Sequence, residues 1–144
     1  MLQTESLLRA MLVERHPYQM KILLMSLQVL VALGLLNVWL LRFGGSSAYR
    51  GGDAKTMREE FTVYGLPGWF MIVVGVLKVG AAICLLAGLW FPFLVLPSGL
   101  LICALMLGAL AMHLKARDNV QKYLPALAIL ILCAVISWGA STAM

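Results

Sequence analysis

The chain has 144 residues, 62% of them hydrophobic and 12% charged, with a mean hydropathy of +0.96. Water-soluble domains carry about 25% charged and 45–50% apolar residues, so an ordinary soluble core is excluded, and four membrane crossings of about 20 residues each would use most of the length. A formal charge of +5 in a soluble protein would raise nucleic acid as a partner. Here the basic residues stand at the ends of apolar runs, where they serve as headgroup anchors and topology signals, and no nucleic-acid partner is expected.

Residues 1–19 mix Glu5, Arg9, Glu14 and Arg15 with Leu7, Leu8, Met11 and Leu12 at helical spacing. This is the pattern of an interfacial N-terminal segment lying on the membrane. Its acids and the long apolar run behind it argue against a cleaved signal peptide. The first span is expected over residues 20–43, anchored by Lys21 and Arg42. The connection that follows opens with the Gly-rich stretch Gly44–Gly52. It then carries Thr56-Met-Arg-Glu59, a capping box, with Gly65 and Pro67 as stop signals, so a short surface helix is predicted from Met57 to Tyr64. A second span covers 68–90, broken only by Lys78, and Trp90-Phe-Pro-Phe93 makes a tight interfacial turn. A third covers 91–114, and the basic link Lys115–Lys122 leads to a fourth over 123–143. The expected fold is all-α: an up-and-down bundle of four membrane helices forming one domain over 20–143, with a short interfacial helix in the first connection.

Seven Lys and Arg residues flank the first and third connections, against three on the side of the termini. The positive-inside rule places those connections in the cytoplasm. Gly80, Cys84 and Gly88, and Ala104 with Gly108, are spaced for close helix packing. Cys84, Cys103 and Cys133 lie singly inside apolar runs and read as inert buried thiols. The scattered methionines offer no M-x-x-M or H-x-x-H run, so no metal site is expected.

Lys78 stands about ten residues from either end of its span, at a depth where an unpaired ammonium costs several kcal/mol. All six carboxylates lie outside the spans. Its stem leans toward the N-terminus of its helix and hence toward the first connection, and Gly75, Ala81 and Ala82 share its face. Either it snorkels to backbone carbonyls or Asn37, or it contacts a ligand. Asn37, one turn from the end of span one, and His113, closing span three, belong to the same membrane side. With Arg42, Glu60 and Tyr64 they complete a candidate ligand site around Lys78. Bland readings stand beside these: helix-packing hydrogen bonds for Asn37, the macrodipole for His113, and for Glu59 the partnership with Thr56 that leaves Glu60 the freer acid.

The order of Asn37-Val-Trp-Leu-Leu-Arg42, Tyr49-Arg-Gly-Gly52, Glu59-Glu-Phe61, Tyr64-Gly-Leu-Pro67, Gly75-Val-Leu-Lys78, Leu85-Leu-Ala-Gly-Leu-Trp90, Gly108-Ala-Leu-Ala-Met-His113 and Pro125-Ala126 resembles the DoxX-like family of small four-helix membrane proteins, over roughly residues 25–135. The resemblance implies a four-helix bundle, and one named member of that family is a subunit of a thiosulfate:quinone oxidoreductase. Two functions follow as expectations. The first is an accessory membrane protein that binds a small hydrophobic molecule, a lipid or a quinone, near Lys78. The second is the membrane subunit of a quinone-linked oxidoreductase, with Lys78 or His113 bonded to a quinone carbonyl and Glu60 relaying protons. No C-x-x-C-H, flavin fingerprint or iron–sulfur spacing occurs, so a redox role needs a partner subunit. Membrane lipids, a hydrophobic small molecule, and a second copy or partner subunit are the expected partners, and quinone is the one cofactor in view.

Overall fold

The computed structural model describes the backbone over residues 2–143 and the side chains over 17–142. Its elements are helices: α1 (Leu2–Leu36, continued by a π-helical turn Asn37–Leu41), α2 (Met57–Val63), α3 (Gly68–Ala87), α4 (Val95–Lys115, entered through a 3-10 turn Pro92–Leu94) and α5 (Val120–Ala143). Four stretches have the length and hydropathy to cross a membrane: Pro17–Leu41, Gly68–Ala87, Pro92–Lys115 and Val120–Thr142. Their number is that of the expected four-helix bundle. The chain is a multi-pass integral membrane protein. No strand occurs among the described residues, because backbone inside a bilayer must satisfy its hydrogen bonds within its own segment.

α4 packs most extensively on α5, α1 contacts α3 and α5, and α3 contacts α4, so sequence neighbours alternate in direction around the bundle. The core runs along Val31, Ala32 and Leu35 of α1, Ala81, Ala82 and Leu85 of α3, Ile102 and Met106 of α4, and Cys133 and Ile136 of α5. Large apolar side chains such as Leu30, Val76, Leu107 and Ile131 point outward, as lipid contact allows. α1 is a single helix of 35 residues that contains Pro17. The stretch expected to lie on the membrane surface is continuous in backbone with span one, and the side chains of residues 1–16 lie outside the described residues.

The small-residue rows that the spacing suggested are close-packed only in part. Nothing lies within 4 Å of a Cβ built on Gly80 or Gly108, whereas a Cβ on Gly88 would meet Val95 Cγ2 at 2.6 Å, one on Gly99 would meet Ser137 Oγ, and one on Gly139 would meet Leu24 Cδ1 at 2.5 Å. In an apolar helix, hydropathy does not tell the lipid face from the packed face, so glycine spacing alone finds only part of the seam.

The first connection folds over one end of the bundle. Thr56 Oγ1 accepts the Glu59 N–H at 3.3 Å and starts α2, while the Glu59 carboxylate reaches back one residue further than in a standard capping box, to the Lys55 N–H at 2.7 Å. α2 ends in a Schellman close: Leu66 N–H donates to Phe61 O and Gly65 N–H to Thr62 O, each at 2.9 Å, with Gly65 at φ +73°. The underside of α2, Met57 and Phe61, packs on Trp39 and Met71 as a second apolar cluster. α2 is therefore a lid over the ends of α1 and α3.

Candidate functional site

Beneath and beside this lid, six side chains join in one polar chain. Arg50, buried in the Gly-rich stretch, donates from Nη1 to Glu60 Oε2 at 3.2 Å. Its other nitrogens gather carbonyls just past the end of span one: Nη2 donates to Arg42 O at 2.8 Å and Phe43 O at 3.3 Å, and Nε to Gly45 O at 3.1 Å. A cation suits that place, since a helix C-terminus presents partial negative charge. Glu60 Oε1 accepts the Gly51 N–H at 2.9 Å and the Tyr64 hydroxyl at 3.0 Å. The Tyr64 oxygen also lies 3.1 Å from His113 Nδ1 and 3.4 Å from Nε2, and His113 Nδ1 is 2.8 Å from Asp118 Oδ2. Asp118 Oδ1 in turn takes the Gly52 N–H at 2.8 Å and faces Lys122 Nζ at 3.7 Å.

This chain runs from the first connection to the third and pins the lid to the bundle. Lys115 Nζ donates to Tyr64 O at 3.2 Å, and Lys122 Nζ donates to Gly52 O. The Gly51–Gly52 pair is required: a Cβ on Gly51 would collide with the Tyr64 hydroxyl oxygen, and Gly52 has φ +55°. Asp118 is aimed by a second Schellman close, in which its N–H donates to His113 O at 3.0 Å and Arg117 takes the left-handed position at φ 54°. Burial works to raise the Asp118 carboxyl, but the Gly52 N–H, His113 and Lys122 together hold it below the usual carboxylate range. Burial, Glu60 and Asp118 push the Tyr64 phenol above its ordinary value, so it remains a neutral donor. At the exposed Glu59, the Lys55 N–H foremost and then Thr56 hold the carboxyl low, which fits a cap residue.

Lys78 stands apart from this network. Its Nζ lies 5.2 Å from the centroid of the buried Trp39 ring, inside cation–π range, and it makes no hydrogen bond among the described residues. Gly75, one turn earlier on α3, makes this arrangement: a Cβ there would meet Trp39 Cζ3 at 2.7 Å. The indole thus lies against the α3 backbone, and the ammonium reaches back over it toward the lid.

Of the residues expected at the site, the structure brings Glu60, Tyr64 and His113 into direct contact and sets Lys78 beside Trp39 below them. Asn37 is exposed, because the buried stripe of α1 runs through Gln28, Val31, Ala32, Leu35 and Trp39 and leaves position 37 on the outer face. The Arg42 side chain is exposed too, and Arg42 enters only through its carbonyl. Arg50, Asp118 and Trp39 were not among the expected site residues. Two had visible signals: Arg50 stands directly before paired glycines, and Asp118 is the lone acid of the basic third connection.

The profile of the DoxX-like family matches residues 26–136, and the chain belongs to that family. It is similar to the uncharacterized protein YdgD of Bacillus subtilis (strain 168), with 34% identity over 98 residues that cover 64% of this chain and 86% of that relative. No solved structure matches the chain.

Proposed function

We propose that this DoxX-like membrane protein is an accessory protein that holds a small hydrophobic molecule, a lipid or a quinone, with its polar end against Lys78 under the α2 lid. One observation carries the reading: the ammonium within α3 rests on the face of Trp39 with no oxygen acceptor among the described residues. A cation at such depth is stabilised when an acceptor arrives, so the site favours a ligand with an apolar body and an electron-rich head. Lys78 keeps part of its surface open, and on its side of α3 the half-buried Val74, one turn earlier, and the exposed Leu77 can carry the ligand's apolar part. The lid network differs in kind: its buried polar groups are mutually satisfied, and its work is to hold the roof in place.

The test is to purify wild-type protein and the Lys78→Met variant from the same membranes and compare bound small molecules by native mass spectrometry and solvent extraction. The reading expects an apolar molecule retained by the wild type and depleted in the variant. Detergent alone in both, or equal ligand content, overturns it.

A second reading, the membrane subunit of a thiosulfate:quinone-type oxidoreductase, draws support from the hydrogen-bonded run Glu60–Tyr64–His113–Asp118, a path along which protons can be handed toward the same end of the bundle. In it a partner subunit carries the electrons. Thiosulfate-dependent reduction of a soluble quinone by membranes containing the protein, lost in Lys78→Met, supports this reading, and no difference from membranes lacking the protein ends it.

A further inference from the structure

The charges around the lid do not balance at Lys78. Among the residues whose side chains are described, Asp53, Glu59, Glu60 and Asp118 are the carboxylates. Glu60 is committed to Arg50, Gly51 and Tyr64, and Asp118 to His113, Gly52 and Lys122. Glu59 is turned back to the Lys55 N–H at the exposed start of α2, and Asp53 is exposed. Lys78 is thus a cation inside a span with every nearby acid already engaged. A neutral carbonyl would satisfy its N–H groups and leave its charge unmatched in a low-dielectric layer, whereas an anion removes both costs.

We infer that the molecule held at Lys78 is a single-chain amphiphile with a carboxylate head, a long-chain fatty acid, whose head pairs with the ammonium beside Trp39. This rests on the ligand-holding reading above and narrows it to one chemical class. Depth selects the head. Lys78 lies ten residues beyond Gly68, about 15 Å along the helix, and although its side chain leans toward the lid, it stays below the layer where a phosphodiester keeps its water. A carboxylic acid can enter the hydrocarbon neutral and ionise on meeting the ammonium, the proton leaving to solvent. The single chain then lies along the half-buried Val74, one turn before Lys78 on its side of α3, and the exposed Leu77.

The test uses the protein in phosphatidylcholine nanodiscs with Trp39 as the sole tryptophan. Trp69, Trp90 and Trp138, which are 65%, 73% and 74% exposed, are replaced by Phe. Three probes brominated near the head are titrated: stearic acid, its methyl ester, and a phosphatidylglycerol. Saturable quenching of Trp39 by the acid is expected at about tenfold or more lower concentration than by the ester, from the strength of a charge-assisted hydrogen bond. Lys78→Met should bring the acid to the level of the ester, and Lys78→Arg should keep the preference, which separates loss of charge from loss of fold. Equal quenching by acid and ester, lost in Lys78→Met, overturns the carboxylate while sparing the ligand-holding reading. Saturation by the phosphatidylglycerol and not by the acid overturns the single-chain source, and an acid preference that survives Lys78→Met overturns the pairing. If no probe saturates, the inference and the reading beneath it both fail.

Discussion

Replacing Glu60 by Ala tests the lid directly. The carboxylate is 11% exposed and holds the Arg50 guanidinium at 3.2 Å, the Gly51 N–H at 2.9 Å and the Tyr64 hydroxyl at 3.0 Å. Its removal leaves Arg50 without a counter-charge and orphans two donors. Breaking a buried pair costs about 3–5 kcal/mol. The Arg42, Phe43 and Gly45 carbonyls still receive guanidinium protons, so the lower end applies, about 3 kcal/mol, which multiplies the lid's opening equilibrium by about a hundred. Glu60→Gln keeps an oxygen for Gly51 and loses only the charge, for about tenfold. The assay is amide hydrogen exchange in nanodiscs, read at Gly65 and Leu66, whose N–H groups close α2 on Thr62 and Phe61. Glu59→Ala serves as comparison, since its carboxylate is exposed and only caps. Exchange that speeds up less than about threefold in Glu60→Ala, or no more than in Glu59→Ala, would refute the network as the lid's fastening.

Gly75→Ala should push the Trp39 ring off α3, because the added Cβ would stand 2.7 Å from Cζ3; a stability loss of about 1–3 kcal/mol is expected, with a shift in Trp39 emission as the measurement. Arg117→Gly should stabilise by up to about 1 kcal/mol, since Arg117 sits at φ 54°, and thermal unfolding against wild type checks it. The lid should also depend on pH at both extremes. The Asp118 carboxyl is held low in the fold, so its contribution is present above about pH 4 and fades as acid protonates it, whereas in Asp118→Asn this fading disappears. The Tyr64 phenol is raised, so its contribution is full below about pH 10 and is lost as pH rises further. Hydrogen exchange of α2 in Tyr64→Phe should therefore lack that alkaline loosening.

The spans were legible because twenty-residue apolar runs have few alternatives. The α2 lid was legible because Thr56, Glu59 and Gly65 each carry a specific backbone chemistry that the structure uses. Lys78 was legible by its cost: a charge in a span draws notice whatever surrounds it. Facing was not legible. Polarity near a helix end points Asn37 toward the site, but the π-helical turn and the stripe ending at Trp39 bury the indole and leave the amide outside, and hydropathy carries no sign of this when both faces are apolar. Arg50 and Asp118 escaped notice because their roles depend on pairing across distance: Arg50 reaches Glu60 ten residues on, and Gly52 meets Asp118 sixty-six residues on. Local spacing rules see neither.

An ammonium that waits for an acceptor is tested most directly by an experimental density map of the protein in native lipid. An elongated density is expected beside α3, its head within hydrogen-bonding distance of Lys78 Nζ, next to Trp39, and absent from a map of the Lys78→Met variant. A Lys78 side chain bonded to backbone carbonyls, with Trp39 in contact only with protein and no such density, would contradict it.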